Sequence, residues 1–304
     1  MITPIESRSD PLRSLTSRLG LSKATIGMQI DQGMQPAAYV SSCVFRSSLL
    51  NLVRSLLPQA KIVASDDALE TMKSRKTPTE LEQMCKAVEI AREGFEIAAD
   101  SIHEGRREAE VAADVQAAFQ SSVKAAAVQR SYGFFFCMSG PNSACASAAY
   151  ARTRQRRIER DDLGMIHANT CADGYWTDIT RTYTAGTPDK RQEAMRTAIT
   201  EARAAALAAV RPRVAARDVD GAARSVMAAH GFGDAFKHST GHGVGFAAAN
   251  GNALPRIHPQ SPDVLDIEMT FNIEPAAYFD GYGGMRHCDV VTVTTDGVNV
   301  LTEF

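Results

Sequence analysis

The spacing of apolar and polar residues predicts an α+β protein whose second half repeats the first. Apolar residues recur three and four positions apart in the helical segments and form short continuous or alternating runs in the strands. In the first half, the pattern predicts helices over 79–104 and 108–128 and strands over 132–138, 163–170 and 175–184. In the second half, they are helices over 188–210 and 218–229 and strands over 242–247, 269–275, 288–294 and 298–302. Two helices followed by antiparallel strands, occurring twice, indicate an internal pseudo-two-fold arrangement.

The first long helix has a sequence signature at its start. Thr79 is followed three residues later by Glu82, which is the spacing of a capping box. We therefore predict that Thr79 is the N-cap of this helix and that the helix ends near Gly105.

Residues 1–72 form a separate region of α/β character. Their pattern predicts a strand over 24–30, a helix over 48–57 and a second strand over 60–64. So short a segment buries little apolar surface by itself. We expect two domains, an N-terminal lobe over 1–72 and a larger domain over 73–304.

Composition and charge narrow the class of protein. The 304 residues carry 33 Lys and Arg against 35 Asp and Glu, a net charge of −2, which argues against a nucleic-acid-binding protein. No apolar run is long enough for a membrane span, and the N-terminal residues have no secretory apolar core, so we expect a cytoplasmic protein. The six cysteines are scattered without a CxxC pair and are expected to be reduced thiols.

The first candidate for chemistry is a hairpin around 172–174. His167 and Asp178 lie symmetrically about this turn, and residues so placed face each other across two strands. The pair is therefore expected either to bind one small ligand between its two side chains or to form a buried hydrogen bond that stiffens the sheet.

A second hairpin, centred on Gly281, places Glu274 opposite Cys288 in the same way. A carboxylate at the end of the apolar strand 269–275 needs a partner if it is buried. Arg286 is one candidate partner, and Asp289 is an alternative partner for Arg286. Between the two hairpins, the segment 238–245 holds two histidines and three glycines, which indicates backbone brought close to another group.

These motifs together resemble the family of aminopeptidase P, creatinase and methionine aminopeptidase, known for the pita-bread fold. The matching motifs are Lys73-Ser-Arg-Lys-Thr-Pro-Thr-Glu80, Ser139-Gly-Pro-Asn-Ser143, Asp173-Gly-Tyr-Trp-Thr-Asp-Ile-Thr-Arg-Thr182, Ser239-Thr-Gly-His-Gly-Val-Gly245, Ile273-Glu-Pro275 and Asp296-Gly297. The resemblance covers about residues 65–304 and implies a pita-bread domain preceded by a shortened N-terminal lobe. It also implies a homodimer.

The resemblance further implies a metal site, but with altered ligands. In metal-dependent members, two aspartates, a histidine and two glutamates bind two divalent ions. Asp178, His242 and Glu274 stand at three of these positions, whereas His167 replaces the first aspartate and Cys288 the second glutamate. Two accessory histidines are also replaced, one by Ser147 and one near Ala249.

Only two carboxylates, Asp178 and Glu274, are left to balance metal charge. Two hard ions such as Mn²⁺ would be under-neutralised and offered nitrogen and sulfur ligands. The sequence therefore leaves two cofactor states open. One softer ion, Zn²⁺ or Fe²⁺, could be held by the five residues at ligand positions, His167, Asp178, His242, Glu274 and Cys288. In the other state, the site holds no metal.

The expected function is hydrolysis of a C–N bond in an Xaa-Pro-like peptide, an amide or an amidine. With one metal ion bound, Glu274 is expected to be the general base and His238 a hydrogen-bond donor to the oxyanion or the leaving nitrogen. Without metal, His167 would be the base, and Arg286 could bind a substrate carboxylate. Two alternatives are a non-catalytic binding module and a lyase or isomerase that uses histidine base chemistry.

Overall fold

The computed structural model describes residues 9–30, 46–122, 127–147, 152–248, 250 and 253–304. The chain divides into two compact units, 1–72 and 73–304. None of the helices within the described ranges is long and apolar enough to cross a membrane.

The first unit contains helices and one short parallel strand pair. Its elements are α1 (Ser9–Arg18), β1 (Thr25–Met28), α2 (Arg46–Leu56), β2 (Lys61–Ala64) and α3 (Asp66–Ser74), the last of which runs into the second unit. β1 and β2 pair in parallel, with Thr25 beside Lys61. The predicted helix and both predicted strands are present. The interpretation of this unit as a shortened family lobe stays a prediction.

The second unit consists of two halves with the same order of elements, as predicted. The first half comprises α4 (Pro78–Ser101), α5 (Glu108–Ser122), β3 (Ser131–Ser139), α6 (Pro141–Ala144), β4 (Leu163–Ala172), β5 (Tyr175–Trp176) and β6 (Ile179–Thr184). The second half comprises α7 (Lys190–Ala209), α8 (Ala216–Ala229), β7 (Thr270–Ile273), β8 (Ala276–Phe279), β9 (Gly283–Arg286), β10 (Asp289–Val293) and β11 (Val298–Val300).

Each half packs its two helices on antiparallel strands. In the first half, β4 lies between β3 on one side and β5 and β6 on the other. In the second half, β10 lies between β7 and β11, and β8 pairs with β9. One apolar core lies mainly beneath α4 and α5, the other mainly beneath α7 and α8. An isolated bridge between Thr180 and Cys288 joins the two half sheets.

Two predicted features of this unit are wrong. The N-cap of α4 is Thr77, not Thr79, and the capping box uses Glu80. Pro78 then takes the first helical position, where its fixed φ suits a helix and its missing N–H costs nothing.

The predicted strand over 242–247 does not form either. This segment instead runs along the free edge of β7, with a single bridge between Gly243 and Phe271. Strands β8 and β9 were not predicted, because the glycines at 281, 283 and 284 indicate one long loop.

Candidate active site

The candidate site lies where the two half sheets meet, at the Thr180–Cys288 bridge. His167 comes from β4, Asp178 immediately precedes β6, and Cys288 immediately precedes β10. Three further side chains complete the cluster: His242, Glu274 and Arg286. All the residues that the sequence predicted at ligand positions are therefore brought together, although they are up to 121 positions apart in the chain.

The register of the first hairpin differs from the prediction by two residues. The turn consists of Asp173 and Gly174 alone, both with positive φ, so His167 faces Thr180 rather than Asp178. Positive φ at both positions is the conformation of a type I′ turn, for which Asp-Gly is a favoured pair. A shift of two residues keeps each side chain on its original face of the sheet. The Asp178 carboxylate consequently remains near His167, with Oδ1 3.7 Å from Nδ1.

The register of the second hairpin is as predicted. The pairs of β7 with β10 and of β8 with β9 are all symmetric about Gly281. Glu274 and Cys288 occupy the gap between these two ladders. The carboxylate of Glu274 is buried, and the thiol of Cys288 is fully buried.

The segment that carries His242 is fixed by its glycines and by β7. A Cβ at Gly241 would overlap the carbonyl of Asn272, and one at Gly243 would overlap the carbonyl of Leu254. The backbone N–H of His242 donates to Asn272 Oδ1 at 2.7 Å, and the N–H of Asn272 donates to the His242 carbonyl at 3.0 Å. The glycine-rich motif thus brings an imidazole close to the sheet.

His242 itself faces the carboxylate of Asp178. Its Nδ1 lies 3.0 Å from the Gly243 carbonyl, so this nitrogen carries a proton. Its Nε2 points towards Asp178 Oδ2 at 3.6 Å and towards the Asn272 amide at 3.4 Å. Asn272, which the sequence did not single out, thereby orients both the backbone and the ring of His242.

Arg286 reaches into the centre of the cluster. Its Nη2 lies 3.0 Å from His167 Nδ1, and its Nη1 lies 3.6 Å from Glu274 Oε2. Its Nε donates to Thr180 Oγ1 at 3.0 Å. Of the two partners considered from the sequence, Glu274 is therefore the one that Arg286 meets. Asp289 pairs with Arg181 and Arg203 instead.

Burial sets the ionisation of these groups. It raises the pKa of Glu274 to about 7, an effect that the charge of Arg286 opposes. It lowers the pKa of His167 to about 4, and the neighbouring guanidinium adds to that effect. It raises the pKa of the Cys288 thiol well above its usual range. Near neutral pH, His167 is consequently a neutral imidazole and Cys288 a neutral thiol.

His238 lies beside this cluster with both ring nitrogens engaged. Nδ1 is 2.7 Å from the Ser239 carbonyl, to which it donates, and Nε2 is 2.9 Å from the Tyr278 hydroxyl, from which it accepts. Burial lowers the pKa of His238 to about 3, so the ring is neutral. Tyr278 was missed from the sequence because the predicted strand ended at Pro275. Its phenol lies next to Arg286 and Glu274.

Ser147 and Ala249 mark the positions of the two replaced accessory histidines. Ser147 ends a short 3-10 turn after α6 and is half-buried. Ala249 lies outside the described residues.

Comparison with known proteins places this geometry in context. Residues 82–295 match the model of "Metallopeptidase family M24". An Xaa-Pro dipeptidase of Pyrococcus furiosus is 34% identical over 238 residues, which are 78% of this chain and 66% of the relative. A probable dipeptidase PepE of Mycobacterium bovis is 34% identical over 236 residues, 77% of this chain and 60% of the relative. The chain thus spans less than two thirds of the length of these curated relatives.

Solved structures share the fold. Prolidase from Pyrococcus furiosus superposes with a TM-score of 0.78 at 30% identity, over 97% of this chain and 79% of that one. An X-Pro aminopeptidase from Thermotoga maritima superposes with a TM-score of 0.81 at 25% identity, over 97% of this chain and 76% of that one. The predicted pita-bread fold is confirmed.

The side chains at the ligand positions do not fit a metal centre as they are arranged. The Cys288 thiol donates to the Asp178 carbonyl at 3.1 Å and is not a thiolate ligand. His167 directs Nδ1 at a guanidinium, whose positive charge opposes a second cation nearby. Across the described ranges, no three His, Cys, Asp or Glu side chains converge with the geometry of metal ligands.

Proposed function

Because the chain belongs to metallopeptidase family M24, we propose that it hydrolyses the C–N bond of a small Xaa-Pro-like peptide with its own side chains. The observation that carries this proposal is the Glu274–Arg286 pair, a buried carboxylate 3.6 Å from a buried guanidinium at the junction of the half sheets. The names of the similar dipeptidases support a dipeptide with proline on its C-terminal side.

In this mechanism Glu274 takes a proton from water, whose oxygen attacks the carbonyl carbon of the substrate. The guanidinium of Arg286 donates hydrogen bonds to the oxyanion that develops on the carbonyl oxygen. The C–N bond then breaks, and Glu274 returns the proton to the leaving nitrogen. Glu274 is the better placed base, because the Nδ1 lone pair of His167 already accepts from Arg286.

The other predicted site residues have supporting roles in this proposal. Neutral His167 and Thr180 position Arg286, while Asp178 and His242 line the same cleft. The donor role expected of His238 is not part of this proposal, because its Nδ1 proton goes to the Ser239 carbonyl and its Nε2 accepts from the Tyr278 hydroxyl.

The sequence left one Zn²⁺ or Fe²⁺ ion and no metal as alternatives, and we propose the metal-free state. The support is chemical: a neutral thiol and an imidazole directed at a guanidinium are poor ligands for a divalent ion. A homodimer and a cytoplasmic location stay predictions.

The test is an assay of Xaa-Pro dipeptides with Ala-Ala as the unrelated peptide, guanidino acids and cyclic amidines as further substrates, each with and without EDTA. We expect turnover of at least one proline dipeptide that EDTA leaves unchanged. Glu274→Gln should reduce kcat by roughly 10²–10⁴-fold, the usual contribution of a general base. Asp280→Asn, an exposed carboxylate on the β8–β9 turn, is the matched control and should keep full activity.

Three outcomes would count against the proposal. These are turnover of none of the substrates, loss of turnover in EDTA, or full activity of Glu274→Gln. Binding of a proline dipeptide without any turnover would favour the non-catalytic module instead.

A further inference from the structure

Hydrogen bonds to two threonines, in addition to the ion pair with Glu274, hold Arg286 in place. Its backbone N–H donates to Thr182 Oγ1 at 3.1 Å, and the hydroxyl of Thr182 donates to the Arg286 carbonyl at 3.0 Å. Its Nε donates to Thr180 Oγ1. Two threonines of β6 therefore clamp both ends of this residue, and only 9% of it is exposed.

The charges in the cluster almost balance without any added ion. Asp178 and Glu274 supply two carboxylates, while His167 accepts from the guanidinium at Nδ1 and the Cys288 thiol donates to the Asp178 carbonyl, so neither of these two adds a negative charge. Arg286 supplies one positive charge in direct contact with the cluster, and its Nη1 has Glu274 as its charged partner within the described chain. One divalent ion added to this set would reverse its net charge and would face the guanidinium at close range.

We propose that the guanidinium of Arg286 is the resident cation of this site, fixed by Thr180 and Thr182 beside Glu274 and His167, and that it excludes divalent metal. Asp178, His242 and Glu274, which stand at metal-ligand positions, thus surround a cation that belongs to the chain itself. This inference concerns what the site binds and does not depend on the proposed hydrolysis.

The decisive experiment exchanges one cation for another. Arg286→Met removes the charge but keeps an unbranched apolar side chain, and it leaves Glu274 buried without its cation. We expect Tm to fall by roughly 5–10 °C, because Glu274 must then either stay charged without a partner or take up a proton, and both cost stability. Adding Zn²⁺ should restore at least half of that loss in this variant and should leave the Tm of the wild type unchanged.

Three further variants separate this role from a merely structural one. Arg286→Lys keeps the charge and should stay insensitive to Zn²⁺. Arg286→Met/Glu274→Gln removes both charges and should regain most of the wild-type Tm, also without a response to Zn²⁺. Arg256→Met breaks another arginine–carboxylate pair of the same unit, that with Asp263, and should show no rescue by Zn²⁺.

Metal content gives a second readout. After dialysis against Zn²⁺ and gel filtration, elemental mass spectrometry should find about one ion per chain in Arg286→Met and almost none in the wild type. The proposal is overturned if the wild type retains one ion or more, or if folded Arg286→Met neither binds Zn²⁺ nor gains stability from it. Should Arg286→Met fail to fold, the double variant decides, because a double variant as unstable as the single one also contradicts the proposal.

Discussion

His167 Nδ1 lies 3.0 Å from Arg286 Nη2. A guanidinium has donors only, so the imidazole nitrogen must be the acceptor in this contact. His167 therefore carries its proton on Nε2 and is neutral. This tautomer directs a lone pair at a cation and makes the nitrogen unavailable to a water molecule or a metal ion.

The tautomer is open to direct measurement. In a long-range ¹H–¹⁵N spectrum at pH 7, His167 should show an unprotonated Nδ1 and a protonated Nε2. Its ring should not titrate between pH 5 and 8, because burial and the Arg286 charge lower its pKa to about 4. His103 is exposed and provides the signal of a solvent-accessible ring in the same spectrum. A protonated Nδ1 at pH 7 would contradict the contact with Arg286.

Cys288 should behave as an inert thiol. It is fully buried, it donates to the Asp178 carbonyl, and its pKa is raised well above the usual range, so almost no thiolate forms at pH 8. Iodoacetamide should label the exposed Cys85 and Cys145 of the native protein while Cys288 stays unmodified until the chain is unfolded. Mass spectrometry of peptides from the labelled protein measures this. Labelling of Cys288 as fast as that of Cys145 would show a reactive thiolate.

The hairpins show how far the sequence determines the site. For the second hairpin, symmetry about Gly281 predicts the register correctly, and the strand pairs follow it. For the first, the sequence cannot decide whether Ala172 belongs to the turn or to β4. The structure pairs Ala172 with Tyr175, which moves the register by two residues and leaves the facing sides unchanged.

Local sequence patterns do not determine two other features of the structure, the start of α4 and the contact between Arg286 and His167. Thr77 with Glu80 and Thr79 with Glu82 have the same capping spacing, and only the position of Pro78 favours the first. The contact of Arg286 with His167 joins residues 119 positions apart on separate half sheets. It depends on how the two halves meet, which no local pattern encodes.

The Ser139-Gly-Pro-Asn motif has a structural role: it donates hydrogen bonds to the buried carboxylate of Glu108, which anchors it to α5. The fully buried carboxylate of Glu108 accepts from the backbone and hydroxyl of Ser139 on one oxygen and from Asn142 and the Arg154 backbone on the other. Glu108→Gln turns one acceptor into a donor, so two of these four hydrogen bonds are lost whichever way the amide points. We expect a loss of about 3 kcal/mol in the free energy of unfolding, since hydrogen bonds to charged groups contribute about 1.5–3 kcal/mol each.

Urea denaturation followed by circular dichroism measures this loss. Glu110→Gln, on the exposed side of the same helix, is the matched control and should change stability by less than about 0.5 kcal/mol. Equal effects of the two substitutions would remove the anchoring role from Glu108.

Asp289 should make a pH-dependent contribution to stability. It is fully buried and accepts from Arg181 and from the hydroxyl of Thr302 at 2.8 Å each, and it also pairs with Arg203. Burial by itself would raise its pKa, but the hydrogen bond from His287 and the two arginine charges hold that pKa well below the usual range. Because the pKa is depressed in the folded state, the ionised carboxylate stabilises the protein above about pH 4, and this stability is lost as the pH falls further.

Asp289→Asn tests both the size of this contribution to stability and the direction in which it changes with pH. At pH 7 it should lower the free energy of unfolding by about 3–5 kcal/mol, because the buried Arg181 loses its counter-charge. The difference from the wild type should then shrink steadily between pH 4 and pH 2, because over this range the unfolded wild-type chain takes up a proton at Asp289 while the folded protein keeps the carboxylate ionised. Thermal unfolding at a series of pH values, with Asp280→Asn as the exposed control, shows whether it does. A difference that stays constant or grows with acid would mean that Asp289 is not the ionised partner of these arginines.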